Sequence, residues 1–483
     1  MVLANRVIKN SIALWSSETV HLLVNLGAVA IIARYLGVER FGDYGFVLAI
    51  CNIFQVMTDM GANQVFIREV ARKPENVQEY FTANLLIMAI LGTLVFFLII
   101  ASIYFFPSSR YLLLPSAIGA IAVILLFFSQ LFSAVFQAYE KMQYEAFMRS
   151  LGYSVYLTLV ILVVKFDVGI AGIFIALLIQ NISACIAGYG FTRKYFFKPK
   201  FILKRTRVLE ILREGWAIGL TFVLRKLSYR IDILFLKALS SRTDLGLFNG
   251  IYRINLQLQF IPRNVTSALF PVFSRLSEDK ETKLADIQSR TVKFLLMVCI
   301  PILSVLMVFP GEVISLVLGK EFVKAAPLMR ILTLSLGLQF FSILFIRTLY
   351  AQNRQRVATL CVAVCLAANI LCDIFFIPKW GYVGAGIATL VAETVLFLLT
   401  GFSVARYLNI RSLLGAGAKL ITAGIVMVMF WIGFGNKSPV FSLLLGGASY
   451  PLLLWVMHVL DDQESAWFRD QIKRLFSHSK KMA

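Results

Sequence analysis

The feature that most constrains this chain is a succession of apolar segments, each close to the ~20 residues an α-helix needs to cross a bilayer. Hydropathy marks fourteen of them between residues 11 and 459, separated by short loops. Only 15% of the residues are charged, against about 25% in soluble domains. This excludes a soluble globular fold and leaves little room for a soluble catalytic domain. The expected fold class is an all-α integral membrane protein of about fourteen transmembrane helices: two six-helix lobes in parallel repeat plus two C-terminal helices. The expected divisions are an N-lobe over 1–191, a basic cytoplasmic linker over 192–214, a C-lobe over 215–410, two further spans over 411–460 and a tail over 461–483.

The six cysteines (Cys51, Cys185, Cys299, Cys361, Cys365 and Cys372) all fall in apolar stretches without a CxxC spacing, and His21, His458 and His478 are scattered. Neither a disulfide framework nor a Cys/His metal centre is expected. Ala28-Val29-Ala30 resembles a signal cleavage box, but the apolar run continues past it, so the first helix is read as uncleaved.

The net charge of +21 has a topological reading, because cytoplasmic loops collect Lys and Arg. Placing both termini in the cytoplasm puts most basic residues on that side. The central loop then holds Arg193, Lys194, Lys198, Lys200, Lys204, Arg205, Arg207 and Arg213. A face near anionic lipid headgroups accounts for this cluster without nucleic acid. In the tail, Trp467, Phe468, Ile472, Leu475 and Phe476 share a helical face beside Lys473 and Arg474, which suits a helix lying in the interface.

The halves echo each other. The ten residues Gly169 to Leu178 align without gaps on Gly381 to Leu390, and Gly42-Asp43-Tyr44 aligns on Gly246-Leu247-Phe248. The offset corresponds to six spans, an even number, so the halves have the same orientation in the membrane. Two such bundles can rock about a central cavity, which is transporter architecture.

Ionisable residues at bilayer depth are costly and point to function. The spans hold Arg225, Lys226, Arg230, Arg253, Arg263, Arg347 and Lys419 against Glu18, Asp59, Asp232, Asp373 and Glu393. Several lie on polar stripes at helical spacing: Glu18, His21 and Asn25 in span 1; Asn52, Gln55, Asp59 and Asn63 in span 2; Arg225, Ser228, Tyr229 and Asp232 in span 7; Asn249, Arg253 and Gln257 in span 8. Lipid cannot satisfy such groups, so the stripes face protein or water. Interhelical hydrogen bonding is the plainer alternative. Because the basic excess sits in spans 7 and 8, an anionic cargo is expected, with Arg225, Arg230 and Arg253 holding phosphate. Glu18, His21, Asn52, Gln55, Asp59, Asn249 and Gln257 are expected to line the same path.

Arg34-Tyr35-Leu36-Gly37-Val38-Glu39-Arg40-Phe41-Gly42-Asp43-Tyr44 resembles the RxLGxxxFGxY motif of polysaccharide flippases. Asp59-Met60-Gly61 followed by Arg68 and Ala71-Arg72, Tyr229 to Asp232, and Ile377 to Ala385 fit the same pattern. The chain resembles the Wzx-type O-antigen and exopolysaccharide exporters of the multidrug/oligosaccharidyl-lipid/polysaccharide superfamily. The resemblance implies a non-enzyme of the cell inner membrane that moves undecaprenyl-diphosphate-linked oligosaccharide between leaflets by alternating access. Membrane lipids surround it, and a polysaccharide polymerase and chain-length machinery are its implied partners in O-antigen and lipopolysaccharide synthesis. It has no cofactor beyond a coupling ion, sodium or a proton.

The related lipid II flippases carry a sodium site whose places correspond here to Asp232, Asn369, Asp373, Ala385 and Thr389. Oxygen ligands suit a hard cation, and Asn369 and Asp373 share a helix face. The alternative is that Asp232 pairs with Arg225 or Arg230 and Asp373 bonds locally. A multidrug exporter of the same superfamily is the nearest competing function. A membrane polymerase or glycosyltransferase is a more distant one, since external loops are short and Asp461-Asp462 is a lone acidic pair.

Overall fold

The computed structural model describes residues 2–228, 230–276, 281–435 and 439–457. The helices are α1 (Val2–Asp59), α2 (Ala62–Arg72), α3 (Val77–Tyr104), α4 (Leu113–Ala138), α5 (Met142–Lys165) and α6 (Gly169–Tyr195). They continue with α7 (Arg205–Ser228), α8 (Ile231–Leu239), α9 (Arg242–Leu258), α10 (Phe260–Leu276) and α11 (Glu281–Val308). The last are α12 (Pro310–Val317), α13 (Ala326–Ala351), α14 (Gln355–Val404), α15 (Ile410–Gly435) and α16 (Pro439–Val456). No strand occurs among the described residues. Nine helical stretches among them are long and apolar enough to cross a membrane. The fold is that of an all-α, multi-pass membrane protein.

The expected spans fall on helix, but their ends are set by backbone chemistry that hydropathy does not register. Spans 1 and 2 form one helix, α1, kinked at Gly37 (φ 67°, ψ 177°), and spans 11 and 12 form α14, kinked at Gly381 (φ 52°, ψ −130°). Both conformations are accessible essentially only to glycine. The polar stripe of span 2, Asn52 to Asn63, does not stay on one helix: α1 stops at Asp59, because Met60 (φ 44°) and Gly61 (φ 80°) are left-handed. Span 7 is likewise broken, with Arg230 between α7 and α8.

Packing divides the chain into two compact units. The first comprises residues through Gln257 together with Gly311–Leu332 and Thr359–Val395. In it α6 packs on α4 and α5, α5 on α1, and α3 on α4. The second comprises Leu258–Pro310, Thr333–Ala358 and the residues from Leu396. There α15 and α16 pack together and on α11, around buried Leu420, Met427, Trp431 and Tyr450. The Tyr450 hydroxyl donates to the Met297 carbonyl at 3.1 Å.

Within the first unit the repeat is visible as contact between equivalent residues. Glu39 accepts a hydrogen bond from Thr243 at 3.3 Å, across 204 residues. At the same offset Gly42 meets Gly246, where a Cβ on Gly42 would lie 2.8 Å from the Gly246 nitrogen. Gly45 meets Asn249, whose side-chain amide fills the space a Cβ would need. The local two-fold axis therefore runs between α1 and α9, along positions three residues apart on each helix. Glycine allows the backbones to approach this closely. Gly169 (φ 76°) and Gly381 are both in positive-φ conformations, as their alignment implies. Gly172 packs on Val168 and Val163, and Gly384 on the Phe376 carbonyl, so these glycines serve close packing.

Next to the axis lies a charge cluster. Asp43 is fully buried; it accepts from Lys237 at 3.5 Å and from Arg242. Arg242 stacks over Tyr111, 5.3 Å from the ring centroid. The Asp43 carboxylate holds the Arg242 guanidinium above its ordinary range. The cluster thus ties α1 to α8 and α9.

Candidate functional site

Below these contacts the helices separate around a cavity of about 260 Å³. Arg230 and Arg253 enter it from α8's leading turn and from α9, with Gln257 one turn further. Asn25 and Asn52 come from α1, Tyr153 and Tyr156 from α5, and Gln180 from α6. Arg253 is 8% exposed, and its guanidinium lies over the rings of Tyr44 at 4.7 Å and Phe41 at 5.3 Å. Among the described residues its Nε and one terminal nitrogen have no hydrogen-bond partner, and neither does one terminal nitrogen of Arg230. Among the described residues no acidic side chain lines the cavity. Buried unpaired donors are costly and native proteins rarely leave them so. Two guanidinium groups with free donors at one cavity form a receptor for a multiply charged oxyanion.

The break between α7 and α8 explains why Arg230 reaches this place. Arg230 has a non-helical backbone there (φ −137°, ψ −6°), so its direction is set by the break and not by the helical spacing that places it about 200° from Asp232. Of the expected cavity residues, the structure brings together Arg230, Arg253, Asn52 and Gln257. Asn249 does not join them: it is fully buried at the axis and donates to the Phe41 carbonyl at 3.3 Å. Asp59 accepts from the Asn63 N–H at 3.0 Å and caps α2. Its neighbour Met60 is packed by Gly215, where a Cβ would lie 2.6 Å from the Met60 carbonyl oxygen. The Asp59-Met60-Gly61 motif is thus a helix break against which α7 docks. Gln55 is half-buried and not among the lining residues. The side chains of Glu18, His21 and Arg225, together with Tyr229 and the tail face from Trp467 to Phe476, lie outside the described residues. Sequence reasoning missed Tyr44, Tyr153, Tyr156 and Gln180. Their signal was faint: tyrosines at i, i+3 in span 5, which read as ordinary apolar content.

A second polar group gathers Asp232 of α8 with Asn369, Asp373 and Thr389 of α14. The Thr389 hydroxyl donates to Asp232 at 3.3 Å and lies 2.9 Å from the Ala385 carbonyl. Asp373 and Asn369 lie beside Asp232. All four are buried, with exposures of 0 to 6%. Neither carboxylate is in an ion pair among the described residues, so the expected alternative of an Asp232–Arg230 pair is not found. Outside this group, one oxygen of Asp232, both of Asp373 and both amide atoms of Asn369 find no hydrogen-bond partner among the described residues. Among the described residues no cluster of three or more His, Cys, Asp or Glu suits a transition metal. Two carboxylates, a hydroxyl, an amide oxygen and a carbonyl instead form an all-oxygen donor set, which fits a hard monovalent or small cation.

Comparison with known proteins places this architecture. The family of polysaccharide biosynthesis proteins matches residues 7–277, more than half of the chain, and the MatE family matches residues 217–375. A protein of Haloferax volcanii named "Probable low-salt glycan biosynthesis flippase" is 21% identical over 44% of this chain, and the chain spans 46% of that protein's length. A Shigella flexneri protein named "Putative O-antigen transporter" is 20% identical over 79% of this chain and 94% of its own. Among solved structures, the lipid II flippase MurJ in an inward closed conformation superposes with a TM-score of 0.72 at 17% identity, covering 96% of this chain and all of its own. An inward-facing multidrug resistance MATE transporter gives 0.65 at 16% identity, covering 80% and 94%. At these identities the likeness to solved structures is one of fold, while the family match rests on the sequence itself. The chain belongs to the polysaccharide biosynthesis protein family, whose model matches more than half of it.

Proposed function

We propose that the chain moves undecaprenyl-diphosphate-linked oligosaccharide from the cytoplasmic to the outer leaflet of the cell inner membrane, with both termini cytoplasmic. The observation that carries this reading is the cavity: two buried guanidinium groups with donors that no described residue satisfies. Arg230 and Arg253 take the diphosphate, and Asn25, Asn52, Gln180 and Gln257 offer amides to sugar hydroxyls. At about 260 Å³ the cavity is at or below the range of roughly 300–1,000 Å³ for small-molecule sites. It admits the start of the headgroup only, so transport requires the lobes 1–191 and 215–410 to part. The polyprenyl tail stays in lipid throughout, which spares the protein from enclosing it. A cationic cavity disfavours the cationic drugs a multidrug exporter would carry.

Coupling follows from the carboxylate group. Two adjacent carboxylates in a low-dielectric site repel each other and are costly bare. A sodium ion held by Asp232, Asp373, Asn369, Thr389 and the Ala385 carbonyl would neutralise them and draw α8 and α14 together; a proton shared by the two acids would do the same in part. Either biases one conformation, and release favours the other. The test is a leaflet assay in proteoliposomes carrying diphosphate-linked oligosaccharides, with sodium and pH gradients imposed separately. Translocation of the lipid-linked glycan and none of a cationic dye supports the reading; dye export without glycan movement overturns it.

A further inference from the structure

A second cavity lies outside the bundle. This groove, of about 390 Å³, is walled by Phe81 and Leu85 of α3, Phe128 and Phe132 of α4, and Ile186 and Tyr189 of α6. It turns its back on the polar cavity. On α6 the polar cavity is lined by Leu177 and Gln180, and the groove by Cys185, Ile186 and Tyr189. At 3.6 residues per turn these sets lie roughly 150° apart around the helix. Ile186 is 68% and Tyr189 45% exposed, so the groove opens sideways, toward lipid in a membrane protein.

One end of the groove meets the basic linker, whose backbone is fixed there. The Gln78 side chain donates to the Lys198 carbonyl at 2.9 Å and accepts from the Lys200 N–H at 2.8 Å. The Thr82 hydroxyl donates to the Lys200 carbonyl at 3.2 Å and accepts from the Ile202 N–H at 3.1 Å. The Phe197 ring packs edge-on against Phe81, with centroids 5.6 Å apart. Gln78 and Thr82 flank Phe81 on the same helix, so Lys198 and Lys200 are held within a turn of the groove's end.

Two carboxylates at this end are already engaged. Glu79 pairs with Lys204 and Arg207, and Glu210 with Arg207. Lys198 and Lys200 are exposed and form no ion pair among the described residues. Beside them Phe201, Ile202 and Leu203 are 71%, 40% and 47% exposed. An apolar triplet flanked by lysines is the composition of a segment seated at the headgroup level.

We propose that this is a binding site for one anionic phospholipid, with an acyl chain in the α3–α4–α6 groove and the headgroup phosphate on Lys198 and Lys200. The site is separate from the transport path, since groove and polar cavity lie on opposed faces of α6. The lipid pins the linker between the two halves of the repeat to the membrane.

The test is native mass spectrometry of the full chain, released from nanodiscs containing equal phosphatidylglycerol and phosphatidylcholine. Wild type should retain phosphatidylglycerol preferentially. K198Q/K200Q should bind it about 30-fold more weakly, corresponding to ~1 kcal/mol per lysine near the surface. Ile186→Trp, at an exposed groove wall, should reduce retention of both lipids without altering thermal unfolding. A double variant that keeps wild-type preference overturns the headgroup assignment, and unchanged retention in Ile186→Trp overturns the groove. Displacement of the lipid by diphosphate-linked oligosaccharide would make this a cargo site and also overturn the proposal.

Discussion

Two buried anionic groups in the same compact unit are built in opposite ways. Asp43 is fully buried and answered by Lys237 and Arg242. Asp373 is equally buried, yet among the described residues no cation answers it and its neighbour is another carboxylate, Asp232. The same split runs through the cations: Arg242 is matched, whereas Arg253 carries two unpartnered donors. A matched charge is part of the folded structure, and deleting one member strands the other in low dielectric. A bare charge is tolerated because something exchangeable completes it. Matched groups should therefore be expensive to remove for folding, and bare groups expensive for function only.

The largest effect is expected at Arg253. Arg253→Ala should lower translocation of the lipid-linked glycan by about 30-fold or more, from the ~2–5 kcal/mol lost when one member of a buried charge contact is truncated. Its thermal unfolding should not fall. Arg253→Lys should recover only part of the activity, since the fork geometry is lost. An Arg253→Ala protein that transports normally would remove the cavity from the transport path.

Next comes Asp43→Asn, which leaves Lys237 and Arg242 without a counter-charge. It should cost about 3 kcal/mol, toward the lower end for a broken buried pair because Arg242 is partly exposed, read as a lower unfolding temperature in detergent. Asp373→Asn should move the other way in sodium-free buffer, melting at or above wild type, because it removes a like charge from Asp232. If both variants shift in the same direction, the distinction between matched and bare groups fails. Adding sodium should raise the unfolding temperature of wild type and leave Asp373→Asn unmoved, through stabilisation by a ligand that binds only the folded state. A response to potassium of equal size would show the effect to be general ionic strength.

The smallest effects are expected at glycines, where packing alone decides. Gly42→Ala, whose Cβ would meet the Gly246 backbone, should lower folded yield, whereas Gly27→Ala, with nothing within 4 Å, should be neutral. Fluorescence-detected size exclusion reads both.

Much of the architecture was legible because a bilayer leaves few solutions: apolar length gives spans, and a six-span offset gives the repeat. The helix breaks at Met60-Gly61 and before Ile231 were not, because they change direction without changing hydropathy. That is why Asp59 read as a cavity residue and proved to cap α2. Asn249 and Arg253 share one stripe, yet the axis takes the first and the cavity the second, since the helices diverge between them. Nothing local on α9 marks that point of divergence. Asp232 and Thr389 meet across 157 residues, a proximity that periodicity in a single helix cannot encode.

Equivalent residues touching along the local axis also carry a steric consequence. In a pair of identical halves every position on that axis would face its own copy, so a side chain there would have to fit against itself. Small residues are the simple solution, and Gly42 against Gly246 retains it. A single chain is free of that constraint, and at the next turn the partners differ as socket and plug: Gly45 yields the room that the Asn249 amide fills. The halves are no longer interchangeable there, although an exchange of both residues together preserves the total volume. G45N should jam the joint and N249G should hollow it, while the double swap G45N/N249G should restore much of the folded yield. The asymmetry that orients the two halves of the transporter is thus written, at this turn, in a single pair of residues.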